Sequence, residues 1–220
     1  MPATTRRRSS PSRPQRRSSR SSSAASTVPR AGLDTTVVIE RAAEMLDDPR
    51  GEGLSLAALA TSLGVKTPSL YKHVDGMPGL QRGMMLRAKA TFGAAIGGAA
   101  IGRSREDAIV AMSFAYRAWA LAHPGQYALT VRAPVEGDAE DEAASTAIVD
   151  VIFAVLAGYG LRGSDAVDAT RFLRSAIHGF VALETSGGFG LPVDLERSFE
   201  RLVGSVVTAL SNWTGAEAGG

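Results

Sequence analysis

Residues 54–74 run Leu-Ser-Leu-Ala-Ala-Leu-Ala-Thr-Ser-Leu-Gly-Val-Lys-Thr-Pro-Ser-Leu-Tyr-Lys-His-Val, and nearly every residue in the string says where a helix starts, stops or packs. Ser55 is an N-cap residue ahead of Leu56–Leu63, because its hydroxyl can accept an otherwise unpaired backbone N–H. Gly64 ends that helix in the left-handed conformation that glycine adopts without steric cost. Thr67 caps a second helix, with Pro68 in its first turn, running to about Val74. Leu56, Leu59, Ala60, Leu63, Val65 and Leu70 form the apolar set that locks the two short helices together. This is the pattern of a helix-turn-helix, in which the first short helix braces on the nucleic-acid backbone and the second enters the major groove. Lys66, Thr67, Ser69, Tyr71, Lys72 and His73 remain free, and all can donate to phosphates or base edges. Spacing alone is equally compatible with an ordinary helical hairpin that has a polar solvent face.

Outward from this core the pattern stays helical. Upstream, Asp34 or Thr35 caps a helix whose apolar positions Val38, Ala42, Met45 and Leu46 recur at helical spacing until Pro49 and Gly51 stop it. Downstream, Pro78 stands at the start of a long helix from Gly79 to about Ile101. Its C-terminal half, Phe92-Gly-Ala-Ala-Ile-Gly-Gly-Ala-Ala, is predicted to be weak or kinked, since each glycine costs up to about 1 kcal/mol relative to alanine. Further helices are predicted over 105–122, 124–131, 140–159, 164–185 and 194–213, between Gly-, Pro- or acid-rich loops. No alternating run marks a strand, so the expected fold class is all-α.

Composition removes several chemistries. The 220 residues contain no cysteine, which excludes disulfides, thiolate nucleophiles and Cys-ligated metals. His73, His123 and His178 are far apart in sequence, and none pairs with a second ligand at helical spacing, so no metal site is expected. The longest charge-free stretch, residues 202–216, is shorter than the roughly 20 apolar residues a membrane-spanning helix needs. The net charge of +2 hides an asymmetry: residues 1–30 carry eight arginines and no acid, residues 31–92 are neutral, and residues 93–220 carry −6. With nine serines and four prolines, that first segment cannot bury enough apolar surface to offset its ordering entropy and is expected to be disordered. Three roles stay open for it: a solvated tail, a targeting address, or an auxiliary DNA arm built from Arg6, Arg7, Arg8, Arg13, Arg16, Arg17 and Arg20.

The stretch from Leu54 to Leu80, with Thr67-Pro-Ser-Leu-Tyr-Lys-His-Val after the Gly-Val turn, resembles the DNA-binding domain of the TetR family of bacterial transcriptional repressors. His123-Pro-Gly-Gln-Tyr, Ile177-His-Gly-Phe-Val-Ala-Leu-Glu and the following Gly-Gly-Phe-Gly-Leu-Pro resemble one subgroup of that family's ligand-binding domains. The resemblance implies a three-helix N-terminal reader with a larger helical effector-binding and dimerising domain behind it. It also implies DNA contacts from Ser55, Lys66, Thr67, Pro68, Ser69, Tyr71, Lys72 and His73. Many members carry a phosphate-gripping lysine at the start of the fourth helix; this chain has Met77 there, followed by Pro78. Because the reader itself is neutral and duplex binding depends on phosphate neutralisation, the arginine tail is the natural source of the missing attraction.

The expected division is a tail (1–31), a helix-turn-helix domain (32–78), an effector-binding and dimerisation domain (79–214) and a short disordered C-terminus (215–220). On the last two helices, Phe180, Phe199, Val203, Val206, Val207 and Leu210 are, by resemblance and symmetry, the candidates for an isologous four-helix interface between two chains, against the plainer reading that both are core helices of a monomer. Met112, Tyr116, Trp119, Phe153, Arg174 and His178 are the candidates for an effector pocket, against the plainer reading that they are core. The acidic loop Glu136–Glu142 reads as a solvated connection. The expected function is a cytoplasmic, homodimeric, ligand-responsive repressor of palindromic double-stranded operator DNA, its small-molecule effector unknown, with no cofactor, metal, membrane contact or catalytic residue. Two rivals are a sequence-nonspecific architectural nucleic-acid binder and, more remotely, an all-helical enzyme.

Overall fold

The computed structural model describes residues 33–51 and 53–213. The arginine-rich segment and the C-terminal residues 214–220, with the tail arginines assigned to an auxiliary arm, lie outside the described residues. Among the described residues are nine helices and no strand: α1 (Thr35–Asp47), α2 (Leu56–Ser62), α3 (Thr67–Leu70), α4 (Gly76–Ala100), α5 (Arg105–Ala122), α6 (Pro124–Thr130), α7 (Ala139–Ala157), α8 (Gly163–Thr185) and α9 (Leu195–Ser211).

The first three helices follow their local signals closely. Asp34 caps α1 by accepting the Val37 N–H at 2.8 Å, and Ser55 caps α2 by accepting the Ala58 N–H at 3.1 Å. Gly64 takes φ of +67° and turns the chain so that the Val65 N–H donates back to the Ala60 carbonyl at 2.9 Å. α3 differs from expectation in two ways. Its N-cap is Lys66 without a side-chain bond, Thr67 being the first helical residue, and the regular helix lasts only to Leu70. Beyond Leu70 the chain closes tightly, the N–H groups of His73 and Val74 both donating to the Leu70 carbonyl.

α4 begins three residues earlier than predicted and runs unbroken to Ala100, across the glycines expected to weaken or kink it. A Cβ at Gly93 would stand 3.1 Å from Ile148 Cγ1, and one at Gly97 would stand 3.4 Å from Val151 Cγ2. The missing side chains let α7 lie close against α4. Burial supplied by a neighbouring helix outweighs the intrinsic cost of glycine.

Two apolar clusters hold the helices. One joins α1, α2, α3 and the first half of α4 through Val38, Ala42, Leu59, Leu70, Leu80 and Met84. The other fills the space between the rest of α4 and α5 to α9, and Leu129 of α6 packs against both. The second cluster corrects the predicted interface. Phe199, Val203, Val206, Val207 and Leu210 are buried inside this chain's own core, and half-buried Phe180 packs its ring 5.1 Å from that of Phe199. Arg117 of α5 clamps the same region, forming a bidentate ion pair with Glu184 of α8 at 2.7 Å and a second with Glu196 of α9 at 2.5 Å. Phe199, Val203, Val206, Val207 and Leu210 are consumed within one chain, and Phe180 partly so.

Candidate functional site

The residues predicted to read DNA lie at the start of α2, on and just before α3, and in the turn after α3. Lys66, Pro68, Tyr71 and Lys72 are exposed, Tyr71 at 60%, while Thr67, Ser69 and His73 are half-buried on the short second helix and the turn that follows it. Ser55 is exposed at the start of α2. The apolar members of the motif point the other way: Leu59, Ala60 and Leu70 are buried, and Leu56, Leu63 and Val65 pack against the same cluster. The Thr35 hydroxyl donates to the His73 carbonyl at 3.1 Å, which ties the first turn of α1 to the end of the reading segment. The chain therefore enters the folded reader right beside its exposed polar face.

Behind the reader lies a cavity of about 230 Å³ enclosed by α4, α5, α7, α8 and the stretch Thr130–Pro134 that follows α6. Three predicted pocket residues line it: Met112, Tyr116 and Arg174. Trp119, Phe153 and His178 are not among its lining residues. Trp119 points its indole at Phe92 and His123, with ring centroids 5.3 and 4.9 Å away, and Phe153 packs against the core cluster. His178 stands behind the wall. Its Nδ1 lies 2.5 Å from the Tyr127 hydroxyl, which lies 2.7 Å from that of Tyr116. Burial, reinforced by the charge of Arg174, pushes the His178 pKa down and keeps the ring neutral. Burial likewise pushes both tyrosine pKa values up, so all three groups stay uncharged along this hydrogen-bonded chain.

Two cavity residues escaped the sequence reading, Lys89 and Arg132. Lys89 is 2% exposed, forms an ion pair with the fully buried Asp141 of α7, and donates to the Ser145 hydroxyl at 2.8 Å. Arg132 pairs with the other oxygen of Asp141 at 3.1 Å. Burial opposes the charge on Asp141, but the bonds from Lys89 and the Val135 N–H outweigh it and hold the carboxyl below its usual range. The acidic loop is thus no solvated connection, since Asp138 also makes a bidentate pair with Arg82 of α4 at 2.7 and 2.8 Å. A lysine between Ala88 and Ala90 in an apolar helix was the available signal, but its partner lies 52 residues away.

Helices α1, α4 and α6 meet at Gln126. Its backbone N–H donates to Asp47 Oδ1 at 2.9 Å and its side-chain amide to Asp47 Oδ2 at 2.5 Å, while its own amide oxygen accepts from Arg87 at 2.8 Å. His123 Nδ1 lies 2.9 Å from the same Asp47 carboxylate. Asp47 ends α1, Arg87 belongs to α4, and Gln126 is 3% exposed near the start of α6. Gly125 completes the joint: a Cβ there would stand 2.1 Å from the Leu46 carbonyl oxygen, so only glycine lets α6 come this close to α1.

A reader of this shape behind which an apolar cavity is hard-wired to its first helix matches known proteins over most of the chain. The family model for the tetracyclin repressor-like C-terminal domain matches residues 109–206. The HTH-type transcriptional regulator Rv0681 of Mycobacterium tuberculosis is 40% identical over 158 residues, covering 71% of this chain and 72% of its own. The HTH-type transcriptional regulator YobS of Bacillus subtilis is 30% identical over 184 residues, covering 83% of this chain and 94% of its own. The chain belongs to the TetR family. Among solved structures, Streptomyces coelicolor ActR in complex with (S)-DNPA shares the fold with a TM-score of 0.60 at 18% identity, covering 84% of this chain and all of ActR.

The protein is a TetR-family transcriptional regulator, and not an enzyme. Met77, which stands where the resemblance implied a phosphate-gripping lysine, is half-buried and packs against the reader's apolar cluster. No helix among the described residues of this regulator is long and apolar enough to cross a membrane, and no cluster of three metal-ligating side chains occurs among them.

Proposed function

We propose that this TetR-family protein is a cytoplasmic homodimeric repressor that binds palindromic operator DNA and is released by a small molecule entering the cavity. The observation that carries this reading is the Asp47–Gln126–Arg87 joint. α6 ends in the cavity wall at Thr130 and begins at the joint with α1 and α4, so a ligand that displaces the 130–134 wall moves a two-turn helix with no slack at its other end. Movement of α1 and α4 would carry the reading helix with them. In a dimer the two heads would leave the separation of about 34 to 36 Å that successive major grooves demand. The effector acts by binding one arrangement of the heads more tightly than the other.

In this reading the reader spans residues 32–78 and the effector and dimerisation domain 79–214. With the apolar stripe of α9 consumed inside the chain, the dimer uses the outer faces of α8 and α9. A Cβ at Gly179 or Gly204 on those faces would meet nothing in this chain, leaving room for the close approach of partner helices. The arginine segment precedes α1 in the sequence, and its eight positive charges suit it to DNA phosphates. The solved structure of ActR in complex with (S)-DNPA supports a small-molecule effector.

The reading residues are tested by substitution. Lys66→Ala and Tyr71→Phe are expected to weaken operator binding without unfolding the protein. Changes at Thr67 and Ser69 are expected to alter which bases are tolerated, by at most about 1 to 3 kcal/mol per base contact. If all four variants bind a selected operator as the parent does, the reading surface lies elsewhere.

A further inference from the structure

We infer that the effector is a compact organic anion, a carboxylate or similarly charged group on an apolar body, roughly nine or ten heavy atoms in all. The size follows from the cavity of about 230 Å³, given that a cavity of about 150 Å³ takes benzene. This inference deepens the effector reading above and rests on it.

The charge follows from the lining. Lys89, Arg132 and Arg174 line the cavity, and no carboxylate does. One acid, Asp141, lies behind them and is shared between Lys89 and Arg132 through its two oxygens. Arg174 donates to the Val131 carbonyl at 2.6 Å, which places it beside Arg132 with only a neutral partner. Three cations against one carboxylate leave two positive charges unmatched at a wall otherwise built of Phe92, Ile96, Ile148 and Leu173.

The hydroxyls sharpen the choice. Ser113 donates to the Ile109 carbonyl, Thr130 to that of Tyr127, Thr170 to that of Ala166 and Ser145 to that of Asp141. These four hydroxyl protons are therefore committed, and the N–H groups of Lys89, Arg132 and Arg174 are the charged donors facing a ligand. A cationic ligand finds no lining group of the opposite sign. Arg132 and Arg174 are exposed and stand toward the mouth, whereas Lys89 is buried at the base. The anionic group accordingly sits between the two arginines, with the apolar body inward.

The test uses the full chain and four probes of similar size: phenylacetate, octanoate, phenylacetamide and phenethylamine, titrated by calorimetry to about 10 mM, where millimolar affinity is measurable. The expected result is that at least one carboxylate binds at least tenfold more tightly than the amide and that the amine does not bind. Arg174→Gln is expected to remove that preference and Arg174→Lys to keep most of it. An amide that binds as well as the carboxylates, or failure of both carboxylates, overturns the inference. Sequence-selective DNA binding is measured on the same samples without probe. If it is present while the carboxylate preference is absent, the anion assignment alone fails; if it is absent, the regulator reading fails whatever the probes do.

Discussion

Replacing Asp47 by alanine cuts the joint between the reader and the effector domain at one side chain. Its carboxylate is 13% exposed and accepts both the backbone and side-chain N–H of Gln126, itself 3% exposed. Asp47→Ala leaves those two buried donors without partners, at about 1 to 3 kcal/mol each. Partial relaxation and entry of water bring the expected loss to about 2 to 4 kcal/mol. For a chain of this size that corresponds to a fall in melting temperature of about 5 to 15 °C. Asp48 is the control, being adjacent, exposed and bonded only to the Arg50 N–H two residues on, so Asp48→Ala is expected to cost no more than about 0.5 kcal/mol. Urea unfolding at one fixed protein concentration separates them. A cycle with Gln126→Ala should show a coupling energy of about 1 kcal/mol or more between the two positions. If Asp47→Ala costs no more than Asp48→Ala, or the double variant is additive, α1 and α6 are not joined there and the release mechanism loses its basis.

Deleting residues 1–30 is expected to leave the preferred DNA sequence intact while lowering affinity. The log-log salt slope should become shallower by about 0.9 for each phosphate that the arginines no longer neutralise, so by roughly 2 to 4 for two to four phosphates. Identical slopes for full-length and truncated protein would show that the arginines do not touch DNA. Gly179→Glu and Gly204→Glu point a charged side chain into space that is open in the single chain and remove a helical glycine that costs about 1 kcal/mol. Sedimentation should find them folded and monomeric, whereas Val203→Asp buries an unpaired charge in the chain's own core and should unfold it; glutamate variants that remain dimeric would move the interface off this face.

What could be read in the sequence was what is decided locally. The caps at Asp34 and Ser55, the left-handed Gly64 and the prolines opening α3 and α6 each act within a few residues, and the reader and most helix ends follow from them. What could not be read depends on partners distant in the chain. The glycines of α4 signalled weakness because their compensation, Ile148 and Val151, lies more than fifty residues on. The apolar stripe of α9 has the same spacing whether it meets its own α5 and α8 or a second copy, and the burial of Phe199 and Val203 decides for the former. In the cavity, the family resemblance singled out Met112 and Tyr116, which line it, and also Trp119, which turns toward His123 instead. The charge content of the cavity was illegible because Lys89, Arg132 and Asp141 come from three separate segments.

The central claim is that two copies of this reader grip DNA as a symmetric pair. It is tested most directly by selecting bound sequences from a random duplex pool with the full chain at physiological salt. The account predicts enrichment of an inverted repeat whose half-site centres lie about one helical turn apart, or a multiple of it. A pool that stays random, with affinity that collapses as salt rises, would contradict it and leave a sequence-nonspecific binder driven by the arginine segment.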